Sequence, residues 1–279
     1  MNTNTTISFC VISGKGGVGK SNLALNLCYG LHQLGNTVLL MDSDMGLANL
    51  DVLLGISPDR DFQDIFLENR APEEILLPIG PAGSEGFDLL PANSGAAAFV
   101  ELEQDTREIM CDKLNPLADR YSFFALDVGA GISSSALGFS VMTTLRFVVV
   151  TPEPTSLTDS YALMKVLASA HGINDFFILV NQAENRTEAK LTYSRLSSVC
   201  QRFLGFQPGY LGGIRTDKAV PDAVRRQRPF LQLSPQSPAS RDCMDIAAKI
   251  CDLRAQMLAA ESVPAPLCQG VFSRVPSGK

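Results

Sequence analysis

Apolar residues along the chain gather in short runs, separated by stretches in which they recur every three or four positions. The runs ISFCVIS (7–13), TVLLMD (37–42), GFDLLPA (86–92), SFFALDV (122–128), RFVVVTP (146–152), FFILVN (176–181) and PGYLGGI (208–214) read as strands. Helical patterns lie between them at 20–34, 105–119, 134–143, 156–170, 187–204, 217–227 and 238–260. Several strands are continuously apolar rather than alternating, as expected when helices cover both faces of a parallel sheet. The repeated strand–helix alternation predicts a doubly wound α/β domain with a mostly parallel sheet, spanning residues 1–260. Residues 55–85 carry Pro58, Pro72 and Pro78 among others and read as short helices and loops. The stretch 261–279, ESVPAPLCQGVFSRVPSGK, reads as a flexible tail outside the core.

Composition narrows the function class. With 279 residues, 46% of them hydrophobic, the chain can bury one large core. Its net charge of −6 supplies no bulk positive field for nucleic acid. The dense basic cluster RRQR (225–228) reads as a solvated helix end, with non-specific DNA contact as the sharper alternative. The seven cysteines lack CxxC spacing and several sit in apolar runs, the pattern of buried thiols in a reducing compartment. No secretory leader and no membrane-spanning run is evident, so a cytoplasmic protein is expected, at most peripheral on a membrane surface.

Ligands of open α/β sheets bind beyond the carboxyl ends of the strands. The segment VISGKGGVGKS (11–21) lies at such an end and fits two phosphate-binding patterns. Gly14, Gly16 and Gly19 have the G-x-G-x-x-G spacing of dinucleotide enzymes, with Asp42 where a ribose-binding acid would stand. Gly14, Gly19, Lys20 and Ser21 have the G-x-x-x-x-G-K-[ST] spacing of triphosphatases. Two features decide between NAD and ATP. A triphosphate needs a cation and a metal-binding hydroxyl, which Lys20 and Ser21 supply; Asp127 ends an apolar strand where an acid can orient Mg²⁺ through its water shell. The loop backbone at Gly14, Gly16, Gly17, Val18 and Gly19, with Lys20, Ser21 and Asn22 opening the helix, is expected to hold ATP or ADP. Ser21 and Asp127 are the expected Mg²⁺ group.

Lys15 occupies an unconstrained loop position and could be a solvated surface lysine. Asp42 and Asp44 are two apart at a strand end and project to one side. Two such carboxylates can divide metal support and water activation, or form an acidic turn capping a helix at 47–54. Asn181-Gln-Ala-Glu184 lacks the N-K-x-D pattern for guanine, which favours adenine.

The string KGGVGKS (15–21), with its lysine ahead of the double glycine, resembles the deviant Walker A loop of the MinD/ParA family of P-loop ATPases. MDSDMGLANLD (41–51), DVGAGIS (127–133), LVNQAEN (179–185) and GGIRTDKAVPDAV (212–224) extend the resemblance over roughly residues 7–255. It implies an ATP-dependent homodimer in which Lys15 crosses to the partner's phosphates. It also implies that Asp42 supports the metal's water shell, that Asp44 orients the attacking water, and that Gly129 and Gly131 form a second switch near the γ-phosphate. Asn181 would contact adenine. Arg215 stands where the family usually has proline. Within the family, TPEPTSLTDSYALMK (151–165) and the two switch segments look most like the flagellar-number branch, FlhG or FleN. That branch implies control of flagellar number and placement through an FlhF-type GTPase or a flagellar transcription activator, at the inner face of the membrane near the cell pole. Two departures stand out: a D-Q-A-x-x-L activator segment is absent from the first six residues, and the tail holds only Leu267, Val271 and Phe272 near Arg274 and Lys279 as a membrane-contacting segment. Division or segregation ATPases of the same fold, and amidoligase-like P-loop enzymes, are the alternatives.

Overall fold

The computed structural model describes residues 5–44, 46–80, 86–92 and 104–267. Strand β1 (Ile7–Ile12) leads through the glycine loop into α1 (Lys20–Gln33), then β2 (Val38–Ser43) and the short helices α2 (Leu50–Leu54) and α3 (Asp64–Leu67). An edge pair follows, β3 (Leu77–Ile79) and β4 (Phe87–Leu90). Next come α4 (Gln104–Ala118), β5 (Phe123–Val128), α5 (Ser134–Met142), β6 (Leu145–Val150) and α6 (Pro154–His171). The chain continues through β7 (Phe177–Ala183), α7 (Arg186–Leu204), β8 (Gly209–Arg215), α8 (Ala219–Arg225), α9 (Phe230–Leu233) and α10 (Pro238–Ala259).

These strands form one sheet of order β3-β4-β2-β5-β1-β6-β7-β8, parallel except for β3 against β4. Alternation along each strand feeds two cores. On β1, Ile7, Phe9 and Val11 pack with Leu23, Leu27 and Ile250 of α1 and α10. Cys10 and Ile12 face the opposite layer, with Leu114, Phe139 and Leu163 of α4 to α6. Every residue of β1, β2, β5 and β6 is buried, which is why those runs are mainly apolar, with Ser8, Asp42, Ser43, Asp127 and Arg146 as buried polar exceptions.

Three local features depart from the sequence reading. The irregular stretch contributes strand β3; Pro78 is tolerated there because β3 is an edge strand, pairing on one side only. The helix expected at 47–54 shortens to Leu50–Leu54, because the preceding residues loop around Asp42. The beginning of the expected tail is docked: Leu267 is buried, its N–H donating to Asn115 Oδ1 at 2.8 Å and its carbonyl accepting from Asn115 Nδ2 at 3.0 Å. Val271, Phe272, Arg274 and Lys279 lie outside the described residues. Cys10, Cys28, Cys200 and Cys243 are buried free thiols, as their apolar settings predict, and Cys111 is buried as well. Among the described residues no helix is long and apolar enough to cross a membrane.

Candidate functional site

The carboxyl ends of β1, β2, β5, β6 and β7 converge on one rim, and the loop between β1 and α1 lies at its centre. β1 sits between β5 and β6, so the chain reverses its direction of winding there. Two glycines of the loop have specific reasons. A Cβ on Gly14 would stand 2.1 Å from the backbone carbon of Asp159, so α6 packs directly on the loop. Gly19 has φ +86° and caps α1, and a Cβ there would meet Asn181 Nδ2 at 2.5 Å.

Hydrogen bonds to the loop's own carbonyls tie it to neighbouring segments and brace it internally. Asn181 Nδ2 donates to the Val18 carbonyl at 2.8 Å. The Gly131 N–H donates to the Ser13 carbonyl at 2.8 Å, linking the segment after β5 to the loop. The Ser13 hydroxyl donates to the Lys15 carbonyl at 2.9 Å. Asn181 is thus a loop-fastening residue in this structure, a role its sequence position does not announce.

Lys20 opens α1 and points into the sheet end. Its ammonium donates to Asp127 Oδ1 at 2.6 Å and to Ser21 Oγ at 3.3 Å, and both charged residues are nearly inaccessible to water. Asp127 Oδ2 is buried with no hydrogen-bond partner. Burial pushes the Asp127 carboxyl pKa up, against the opposing pull of Lys20. Asp42 is the register partner of Asp127 on the neighbouring strand, and burial together with that neighbouring charge raises its pKa to about 7. Asp42 Oδ2 accepts the backbone N–H groups of Asn49 and Leu50 at 3.1 and 3.2 Å, and its Oδ1 accepts the Asp44 N–H at 3.1 Å. Asp42 therefore also caps α2, so the capping reading and a metal-supporting reading share one side chain.

Asp44 is half-buried at the rim, where its Oδ1 accepts from the Gly46 and Leu47 N–H groups at 3.3 and 3.1 Å. A Cβ on Gly129 would lie 3.2 Å from that oxygen, so the segment after β5 leaves room for the Asp44 carboxylate. Ser21, Asp42 and Asp127 make an oxygen-rich corner containing an unpartnered carboxylate oxygen, a donor set that suits Mg²⁺. No cage of three acidic, histidine or cysteine side chains occurs among the described residues.

Lys15 is held apart from this corner. Its Nζ donates to Glu153 Oε2 at 2.8 Å and Thr155 Oγ1 at 3.1 Å, at the start of α6, and it is 39% exposed. Neither partner stands out in the sequence. The signal it does carry is an acid immediately before the proline that begins a helix, in the segment TPEPTSLTD.

Arg215, the last residue of β8, is engaged by the first turns of α10. Its guanidinium binds Asp242 of α10 at 2.7 and 2.9 Å, and its N–H donates to the same carboxylate at 3.2 Å. The basic cluster is an exposed helix end, where Arg225 pairs with Asp222.

A model of the CobQ/CobB/MinD/ParA nucleotide-binding domain matches residues 9–230. The antiactivator FleN of Pseudomonas aeruginosa is 37% identical over 86% of this chain and 84% of its own. The flagellum site-determining protein YlxH of Helicobacter pylori is 30% identical over 88% and 82%. Among solved structures, MinD of Pyrococcus horikoshii complexed with Mg-ADP superposes with a TM-score of 0.70 at 21% identity, covering 92% of this chain and 99% of that one. The MinC:MinD complex of Aquifex aeolicus gives 0.71 at 24% identity, over 88% and 96%. At those identities the structural likeness is one of fold.

Proposed function

Because this chain belongs to the CobQ/CobB/MinD/ParA nucleotide-binding family, we propose that it is a slow Mg²⁺-dependent ATPase whose ATP-bound state is a homodimer regulating flagellar number or placement. The observation that carries the dimer is Lys15. It lies in the phosphate loop, yet its ammonium is directed to the exposed rim and held by Glu153 and Thr155. A lysine so placed can be released outward to a partner's nucleotide.

The steps follow from the residues. The N–H groups of the glycine loop and Lys20 receive the phosphates, and Lys20 exchanges Asp127 for phosphate oxygen. Ser21, Asp42 and Asp127 would hold Mg²⁺, which would supply positive charge against the negative charge of the phosphates. Asp44, at the rim beside Gly129, orients the attacking water. Asn181 holds the loop through Val18 and faces adenine, and Gly131 couples the second switch to the loop through Ser13. Catalysis is positioning and charge stabilisation, with no covalent intermediate. The FleN and YlxH likenesses direct the search for partners to flagellar regulators, an FlhF-type GTPase or a transcription activator, in the cytoplasm or at the membrane's inner face.

Concentration dependence tests the enzymatic half. Specific ATPase activity should rise with protein concentration in the wild type and stay flat and low in Lys15→Ala; activity independent of concentration in the wild type refutes a dimeric active state. Counting flagella in cells lacking the gene tests the biological half. Altered number or position with normal division is expected, whereas minicells or anucleate cells with normal flagella would assign the protein to division or segregation.

A further inference from the structure

Beyond its first turn, the buried side of α1 is built from Leu23, Leu25, Leu27 and Cys28, with one amide among them, Asn26. Asn26 is fully buried. A side chain of similar size and no polarity would fill the same space without needing matched donors and acceptors. Here the amide is matched completely. Its Nδ2 donates to the Asn22 carbonyl at 2.7 Å and to Asn22 Oδ1 at 2.9 Å, and its Oδ1 accepts the Leu231 N–H at 3.0 Å.

The consequence falls on Asn22, which follows Lys20 and Ser21 in the first turn of α1. The two ends of an Asn amide have nearly the same shape, so packing alone does not choose its orientation. Asn26 chooses it by holding the oxygen. That leaves Asn22 Nδ2, which makes no hydrogen bond among the described residues, as the group free to meet a ligand. The distinction matters to an anion: phosphate oxygen accepts a hydrogen bond from an NH₂ and is repelled by an amide oxygen.

We propose that Asn26 is a positioning residue for nucleotide binding: it locks the Asn22 amide with its NH₂ toward the phosphates and fastens the first turn of α1 to Leu231 at the start of α9. The inference rests on Asn22 being a phosphate contact, and the experiment separates the two ideas. ATP affinity and thermal melting are measured for Asn22→Ala, Asn26→Leu, Asn26→Ser and the double variant Asn22→Ala/Asn26→Leu. Asn26→Ser guards against a misfolded leucine variant, since its short hydroxyl can reach the carbonyl one turn back but not Asn22 Oδ1.

One charge-assisted hydrogen bond corresponds to roughly a tenfold change in affinity. Asn26→Leu and Asn22→Ala should each weaken ATP binding by about that factor, and the double variant should bind no more weakly than Asn22→Ala alone. Asn26→Ser should weaken binding likewise. A residue that merely supports the core would instead lower the melting temperature at unchanged affinity, and that result overturns the proposal. Additive losses in the double variant overturn it too, because Asn26 would then act by a route other than Asn22. Wild-type affinity in Asn22→Ala removes the phosphate contact itself and leaves the P-loop reading, which depends on Lys20, standing.

Discussion

Asp42 and Asp127 stand side by side in register on adjacent parallel strands, both buried on the face that packs against α1, where the Lys20 ammonium binds Asp127. Two carboxylates beside one cation in a water-poor setting resist ionising together. Asp42 carries that resistance as a pKa raised from 3.8 to about 7. A group whose native pKa is raised contributes stability that is full below its unfolded value and is lost as pH rises through the native value. Nucleotide-free protein in chelator should therefore lose stability between about pH 4 and 7, as read by denaturant titration. Asp42→Asn should flatten that slope; an unchanged slope would remove Asp42 as its source.

Lys20→Ala should abolish ATP binding, and it should also destabilise the fold. Breaking a buried pair leaves an uncompensated charge, at a cost of about 3–5 kcal/mol. Removing Asp127 as well should recover much of that stability without restoring ATP binding. Calorimetry on the two variants and the wild type checks both statements, and retained ATP affinity in Lys20→Ala would refute the loop assignment.

Gly129→Ala probes the contact between the segment after β5 and Asp44. Its Cβ would lie 3.2 Å from Asp44 Oδ1, so the carboxylate must shift by a few tenths of an ångström. Turnover should fall by about tenfold or more while ATP affinity and melting temperature change little, because positioning of the nucleophile is sensitive at this scale. A drop in affinity equal to the drop in turnover would place the effect on binding instead.

Two truncations divide the tail. Deleting 262–279 removes Leu267 and Val263, which are buried, and should cost about 2–4 kcal/mol more than deleting 268–279 alone. Equal melting temperatures for the two would show that the Leu267–Asn115 clasp contributes nothing. Liposome co-sedimentation with ATP should be run on the shorter deletion, so that a loss of membrane binding is not confused with unfolding.

Much of this architecture is legible in the sequence because it is set by local chemistry. Buried parallel strands are continuously apolar, and strand β1 followed by GKGGVGKS announces both a strand end and a phosphate loop. Asp42, Asp44 and Asp127 each close or follow an apolar run, so their place at strand ends is legible too. Contacts between distant segments are not. Lys15 with Glu153, Asn181 with Val18, and Asn26 with Leu231 each join residues far apart in the chain through a single polar atom, which leaves no periodic trace. Edge strand β3 is hidden because its proline argues against a strand unless its edge position is known. The docking of Leu267 is hidden because one apolar residue among prolines carries no pattern, although Asn115 fixes it with two hydrogen bonds.

The proposed link between Lys15 and dimer formation can be read directly by sedimentation velocity. Asp44→Ala protein is run with Mg-ATP and with Mg-ADP, alone and with Lys15→Ala added. Asp44→Ala should sediment as a dimer with ATP and a monomer with ADP, and the added Lys15→Ala should return it to monomer. Monomeric Asp44→Ala in saturating ATP, or a dimer indifferent to Lys15 and to nucleotide, would contradict an ATP-driven switch closed by that lysine.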